Sequence, residues 1–456
     1  MPAEVIAVFD IGKTNKKFLL FDSLLNLVHQ EEQKFTEIRD EEGFECDDLR
    51  KIETWMKETM SDVLSRDEYR IKALNFTTYG ASLVHIDKSG IPLTPVYNYL
   101  KPMPEDVIEG FYERYGGMEE FCRNTASPKL GMLNSGLQAL WLKRKRPEVF
   151  SRVSDILHFP QYLSFIFTGK RVSEFTSIGC HTAMWDFDRH VYHPWLTDEN
   201  IHLPGPVPNS TVFDAVVSNR VIKAGIGIHD SSASLVPYFK ASNEGFILMS
   251  TGTWCITMNP FNPEPLTADQ LRKDTLCYLS INQQQVKSSR FFLGHIHDVN
   301  AEYLSAHYGV PADQYKKVKA DRQIMSGFRH DKAGFSFFRN GLAPDFIDRT
   351  ADLNEFSGFG EAYHRFMYDL VNLCMESFAL IVPAEDRTGI VYISGGFARN
   401  EIFTQLLASR MPDKKVYTSE VDNSTALGAA MVVWEEAFGT RMPSVDIGLK
   451  LVTQLR

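Results

Sequence analysis

An α/β architecture of two similar halves is expected from this chain. Its 456 residues allow two or three domains at about 150 residues each; a strand, turn and strand device occurs twice, and strands alternate with helical segments. The first copy of the device joins Val5–Phe9 to Phe18–Phe21 through a polar turn over 10–17. The second joins Gly245–Met249 to Cys255–Met258 through Ser250-Thr-Gly-Thr-Trp254. Asp10 and Ser250 head the two turns 240 residues apart, roughly half the chain and far from a short repeat period. Domains are therefore expected at 1–240 and 241–456.

Between the two turns, Leu49, Ile52, Met56, Met60, Val63 and Leu64 fall on one helical face, followed by strand-like Ile71–Phe76 and Leu83–Ile86. Pro160 opens and Gly169 closes an apolar helix, and 193–211 reads as a Pro- and Gly-rich connection without periodicity. In the second half Phe366, Leu370, Leu373 and Ser377 mark a long helix ending before Pro383. A strand over Gly389–Ser394 breaks at Gly395-Gly396. A helix then starts at Asn400, with Ile402, Phe403, Leu406 and Leu407 on its apolar face, and stops before Pro412. The last helix, Thr425–Trp434, carries small residues at Ala426, Ala429 and Ala430.

Composition narrows the function classes. With 44% apolar, 23% charged and 12% aromatic residues the chain is an ordinary globular protein. A net charge of −10 argues against a surface that binds nucleic acid by counterion release. The basic run Lys143–Arg146 follows an amphipathic pattern and reads as a solvated helix end. No apolar stretch approaches a membrane span, and the start of the chain shows no charged leader. The six cysteines are widely spaced, without a Cys-x-x-Cys pair, and read as reduced thiols of a cytoplasmic protein.

Four segments carry chemistry. Ala7–Thr14 resembles a Walker A loop with Ala for the first Gly, but Phe9, the anionic Asp10 and the strand that follows are wrong for an anion cradle leading into a helix. Better, the two turns form a pair of phosphate-facing hairpins. Gly12 and Gly252 would let backbone N–H groups approach phosphoryl oxygens, and Thr14, Asn15, Thr251 and Thr253 would supply short donors. Asp10 would face a magnesium ion through water, since hard cations prefer carboxylate and water; each turn alone also reads as an ordinary hairpin bend. In the third segment, Lys223–Ser234, Asp230 is placed to take the proton of an attacking hydroxyl and His229 to hydrogen-bond a neighbouring one, with a helix N-cap as the alternative for Asp230. In the fourth, Ser394–Asn400, Gly395 and Gly396 would let a flat base lie on the backbone, and Asn400 would present its amide or cap the next helix.

The order of these segments resembles the FGGY family of carbohydrate kinases, of the actin-like ATPase superfamily. Asp10–Asn15 resembles its first phosphate motif, Gly227–Asp230 its catalytic-base loop, Ser250–Trp254 its second phosphate motif and Ser394–Asn400 its adenosine motif. Ala426–Ala430 resembles its terminal helix. Ser127–Lys129, Leu140–Leu142, Pro160–Leu163 and Phe167–Gly169 resemble its signature segments. The resemblance implies two actin-like (ribonuclease H-like) domains around a central cleft, ATP and Mg2+ as cofactors, Asp230 as base and a sugar held in the first domain. His229-Asp230 with Ser-x-Gly-Thr-Trp is similar to rhamnulose and fuculose kinases, implying a deoxyketohexose substrate, with the pentuloses L-ribulose and D-xylulose as alternatives. Thr78–Gly80 stands where the family places a sugar-contacting loop, making Tyr79 and Gly80 candidate binders. Pro95–Lys101 replaces a Trp-x-Asp-x-Arg-like stretch, and Lys13, a candidate phosphate contact, is more basic than usual.

His295 and His297 would share a strand face, without a recognisable third metal ligand, and read as core or surface histidines. The resemblance implies a small-molecule partner, no nucleic acid and no membrane, and leaves a homodimer open. The rival functions are an actin-like ATPase and a sugar-responsive regulator without kinase activity.

Overall fold

Val5–Phe9 have no exposed surface, because their strand, β1 (Ala3–Ile11), lies at the middle of a sheet covered on both faces. The computed structural model describes residues 2–328, 336–339 and 341–455. β1 pairs antiparallel with β2 (Lys16–Asp22), which pairs with β3 (Leu27–Gln33). The chain crosses through α1 (Leu49–Ser65) to β4 (Tyr69–Thr78), parallel to β1. The Asp48 carboxylate caps α1 by accepting from the Lys51 N–H at 3.2 Å. Its six periodic apolar residues are all buried, as expected.

A smaller pair, β5 (Leu83–Ile86) and β6 (Asp155–His158), flanks this sheet; between them runs α2 (Ser135–Lys145). α3 (Phe159–Thr168) ends at Gly169, whose φ of +66° is the left-handed stop that the glycine predicts. β7 (Val212–Val217), β8 (Arg220–Gly225) and β9 (Ile228–His229) complete the sheet in the order β7-β8-β4-β1-β2-β3, with β9 also on β4. α4 (Asp230–Ala241) then leads out of it.

A second sheet repeats the central plan. β10 (Phe246–Thr251) pairs antiparallel with β11 (Cys255–Asn259). β12 (Thr275–Leu279) and β13 (Gln285–Phe291) extend that side. After α5 (Leu293–Tyr308) and α6 (Phe359–Ala379), β14 (Ile390–Gly395) lies parallel to β10. α7 (Glu401–Ser409), β15 (Lys415–Thr418), α8 (Ser424–Val432) and β16 (Lys450–Leu451) follow, and the sheet order is β12-β13-β11-β10-β14-β15-β16. Asp10, one residue before the end of β1, stands opposite Thr77 of β4; Ser250, one before the end of β10, stands opposite Ser394 of β14. The two turns thus occupy equivalent places.

α8 returns to the first sheet, packing on α4, β1 and β4. Ala426, Ala429 and Ala430 have no exposed surface, and a Cβ on Gly428 would stand 1.9 Å from the Ala233 carbonyl oxygen. The Asn75 amide donates to the Ala429 carbonyl at 2.7 Å. The alanines read as a helix stripe in the sequence are therefore the contact itself.

Three expectations change. His295 and His297 lie on α5, not on a strand; the His297 Nε2 pairs with the Tyr363 hydroxyl at 2.9 Å. No group of three or more His, Cys, Asp or Glu able to hold a metal occurs among the described residues. The 193–211 connection contains a helical turn, Trp195–Asp198, and a short strand pairing Pro206–Val207 with Ser173–Glu174. The basic run is neutralised rather than merely solvated: Lys143 and Arg144 meet Glu199, Lys145 meets Asp106, and Arg146 meets Glu41 and Glu148. No helix among the described residues is long and apolar enough to cross a membrane.

Gly428→Ala should destabilise the protein by about 2–3 kcal/mol, because backbone rather than a flexible side chain opposes the new methyl. Gly360→Ala on α6, where a Cβ meets nothing within 4 Å, is the control and should leave the melting temperature unchanged or slightly higher. Equal melting temperatures for the two variants in calorimetry would refute the contact's role.

Candidate active site

Asp10 is held where β1 meets α8. The Thr425 hydroxyl, in the first turn of α8, donates to its Oδ2 at 2.6 Å, and Lys17, its neighbour across β2, donates to the Asn423 Oδ1 at 2.9 Å. Burial pushes the Asp10 carboxyl up to about 6; Thr425 opposes this, the charge of Asp230 adds to it and Lys17 opposes it. Two carboxylates from different elements therefore share one electrostatic environment, and a divalent cation is what such a place favours. The donors present fit magnesium: one desolvated carboxylate, with the rest of the coordination left to water and nucleotide oxygens.

The turns that follow β1 and β10 close alike. The Gly12 N–H donates to the Asn15 carbonyl at 2.9 Å and the Gly252 N–H to the Trp254 carbonyl at 2.9 Å. Both glycine amides thus close their own bends. Thr14 is exposed, and Asn15 is half-buried with an Oδ1 that has no protein partner. Thr251 is also committed: it donates to the Ser394 carbonyl and accepts from the Phe397 N–H at 3.1 Å, tying β10 to the loop after β14. Gly395 needs its φ of +84°, since a Cβ there would stand 1.9 Å from the Thr251 carbonyl oxygen.

A cleft of about 900 Å³ opens at this junction, lined by Gly252, Thr253, Gly294, His297, Gly396 and Asn400 among others. Asn400 is the N-cap of α7, accepting from the Phe403 N–H at 3.1 Å, while its Nδ2 donates to the Tyr363 hydroxyl at 3.1 Å. Its capping role is therefore observed together with a position on the cleft wall.

Asp230 begins α4 as its first residue, with His229 as the N-cap. The Asp230 Oδ1 accepts the Ser231 N–H at 2.6 Å and lies 3.1 Å from His229 Nε2. Its side chain is 31% exposed, enough for a ligand to reach it. Gly80 sits against His229, and a Cβ there would be 3.1 Å from His229 Nε2.

Lys13 and Tyr79 do not project freely toward a ligand. Lys13 Nζ pairs with Glu37 at 2.6 Å and Asp47 at 3.0 Å, so two carboxylates replace the expected phosphate. The buried Tyr79 hydroxyl donates to Asp47 Oδ2 at 2.6 Å, and the buried Lys16 ammonium meets Asp47 Oδ1 at 2.8 Å. Burial raises the Asp47 carboxyl, but Lys16, Tyr79 and Lys13 together hold it below the usual carboxylate range. Within Pro95–Lys101, Lys101 is buried against Asp40 at 2.6 Å, with its charge 4.7 Å from the Trp141 ring centroid. Tyr99 packs 6.0 Å from the Tyr79 ring and feels the charges of Lys13 and Asp230. Asp47, Tyr99 and Thr425 are thus neighbours of the site that motif reading missed. Only Thr425 had a legible signal, a hydroxyl at a helix start.

Comparison with known proteins follows this geometry. Residues 5–230 match the model for the FGGY family of carbohydrate kinases, N-terminal domain. A rhamnulokinase of Halalkalibacterium halodurans is 24% identical over 459 residues, 93% of this chain and 90% of that protein. A rhamnulokinase of Oceanobacillus iheyensis is 22% identical over 249 residues, 51% of this chain and 50% of the relative. A carbohydrate kinase from Novosphingobium aromaticivorans superposes with a TM-score of 0.82 at 21% identity, covering 100% of this chain and 95% of that one. A ligand-bound xylulose kinase from Lactobacillus acidophilus does so at 0.75 and 17% identity, covering 98% and 92%. The fold is the α/β arrangement of two actin-like domains that these structures share.

The raised Asp10 carboxyl has a consequence for stability. The folded state holds its proton more tightly than the unfolded chain, so its contribution is fully present below about pH 4 and is lost as pH rises through 6. Asp10→Asn, which keeps an acceptor for Thr425, should stabilise the metal-free protein at pH 7.5 by about 2–3 kcal/mol and have little effect near pH 4. Chemical denaturation at the two pH values checks this; an equal effect at both would contradict it.

Proposed function

The chain belongs to the FGGY family of carbohydrate kinases, and from that premise we propose that it transfers the γ-phosphoryl group of ATP to a hydroxyl of a deoxyketohexose such as L-rhamnulose or L-fuculose. It is an ATP-dependent phosphotransferase with an alcohol acceptor. The His229-Asp230 pair and the relatives named rhamnulokinase support a deoxyketohexose as that acceptor.

In this reading residues 1–240 hold the sugar and residues 241–456 hold most of the nucleotide. The single observation that carries it is Asp230, a partly exposed carboxylate anchored by the Ser231 N–H and electrostatically coupled to Asp10. Asp230 accepts the acceptor hydroxyl's proton as the oxygen attacks the γ-phosphorus. His229 orients that carboxylate, its Nε2 lying 3.1 Å from Oδ1, and Gly80 leaves room for the imidazole. Asp10 would hold a magnesium ion through water, and the ion, when bound, would neutralise phosphate charge. The triphosphate passes the turns at Gly12–Asn15 and Gly252–Thr253, and adenine rests at Gly395, Gly396 and Asn400. Holding the two reactants in line supplies much of the rate, and a dry cleft prevents water from taking the phosphoryl group.

ADP release measured with L-rhamnulose, L-fuculose, L-ribulose and D-xylulose tests the substrate class. Stimulation by a deoxyketohexose above both pentuloses is expected; a pentulose preference would correct the sugar, and a flat response would favour an ATPase or a regulator. Asp230→Asn should lower kcat on the order of 10³-fold while sugar affinity stays within a few-fold. Near-normal turnover would remove Asp230 from the role of base.

A further inference from the structure

We propose that Cys180 is a positioning residue for Asp230: its thiol competes with that carboxylate for the one hydrogen on His229 Nε2, and so decides which of the two the imidazole serves. The inference rests on reading Asp230 as the base.

Three segments distant in sequence converge on the sulfur. Cys180 Sγ lies 3.1 Å from His229 Nε2 and 3.3 Å from His181 Nδ1. The same Nε2 lies 3.1 Å from Asp230 Oδ1. From the loop after β4, Gly80 leaves the space that the thiol fills, since a Cβ there would be 2.6 Å from Sγ. The seat is held from below: His181 takes a φ of +37°, and the Asn134 amide donates to its carbonyl at 3.0 Å. A side chain added for bulk alone would not need two imidazoles. The other ring nitrogen of His229, Nδ1, is buried without a protein partner, so the ring's orientation is set at Nε2.

The hydrogen bonds allow two arrangements. With the thiol protonated, S–H donates to His181 Nδ1 and the His229 N–H is free to serve Asp230. When the thiol passes its proton to His181 Nδ1 and that ring gives up its Nε2 hydrogen to water, one proton is lost and the thiolate accepts from both imidazoles. Asp230 is then held by the Ser231 N–H, and its carboxylate is released toward the acceptor hydroxyl. Burial alone would push the thiol up, but His181 and then His229 outweigh it and hold it at about 6, within the range where a change of state matters. For His229, burial lowers the imidazole, and the charges of Cys180 and Asp230 overcome this and raise it.

The other titratable groups facing this cluster are His158, Glu174, Tyr278, Asp10 and Tyr99. His158 is buried and pushed down to about 3. Glu174, buried and raised to about 7, holds Thr176, whose hydroxyl accepts the His229 backbone N–H at 3.0 Å. The Tyr278 ring stands edge-on to His229 at 6.1 Å, with its hydroxyl pushed up by burial. Asp10 and Tyr99 face Asp230 rather than the sulfur.

The test uses the full chain. The 240 nm thiolate absorbance of wild type, with Cys180→Ala as the blank, should titrate with a midpoint below pH 7, and His181→Gln should move that midpoint up by at least one unit. With the ketose that the panel selects, the acid limb of the kcat profile should shift by at least one pH unit in Cys180→Ala and Cys180→Ser, while KM for Mg-ATP stays within twofold. A midpoint at 8.5 or above, or superposable profiles, would overturn the proposal. If Cys180→Ala fails to fold, the pH dependence of iodoacetamide alkylation of Cys180, mapped by mass spectrometry in wild type and His181→Gln, decides between the same two midpoints. Asp230→Asn separates the two readings: its retained turnover would remove the base and with it the positioning role, whereas lost turnover with superposable cysteine profiles would remove the positioning role alone.

Discussion

Everything at the site depends on how closely α8 lies against α4. Gly428 lets the two helices meet at a distance where one added methyl would strike the Ala233 carbonyl oxygen. Through that contact α8 reaches back across more than 400 residues to place Thr425 on Asp10. Asp230 begins the partner helix, so the two helix starts and the end of β1 are brought together by one packing requirement. Protein interiors transmit such constraints because they are close-packed and do not compress.

The second constraint is electrostatic. Asp10, in a poorly solvated place, feels the negative charge of Asp230. Nearby cations would seem the obvious remedy, yet Lys13, Lys16 and Lys101 are all matched to carboxylates of the first half. Their work is to brace Tyr79 and the Pro95–Lys101 segment. The charge at Asp10 is opposed only in part, by the Thr425 hydroxyl and by Lys17. A site built this way loses some stability when empty.

Much of the fold was legible because its elements obey strong local rules. The apolar stripe of α1, the Gly169 stop, the Asn400 cap and the two Gly-containing turns each follow from short-range chemistry, and the twofold device pointed to two sheets. The histidine pair was misplaced because His295-Ile-His297 is too short to distinguish a strand from a helix. The site was legible in outline only. Thr251 looked like an outward donor, but its pairing with Ser394 and Phe397 uses it, which depends on register. Lys13 and Tyr79 were diverted by Asp47, a residue with no motif around it. Cys180 meets His229 only after the chain has folded, across a separation of 49 residues. Long-range partners of this kind leave no periodic trace.

A crystal structure of the full chain with a non-hydrolysable ATP analogue, magnesium and the preferred ketose would judge the assignment. It should place one ketose hydroxyl about 3 Å from the Asp230 carboxylate, in line with the γ-phosphorus and with the phosphates between the Gly12 and Gly252 turns. A ketose bound with no hydroxyl reaching Asp230, or phosphates seated away from both turns, would contradict it.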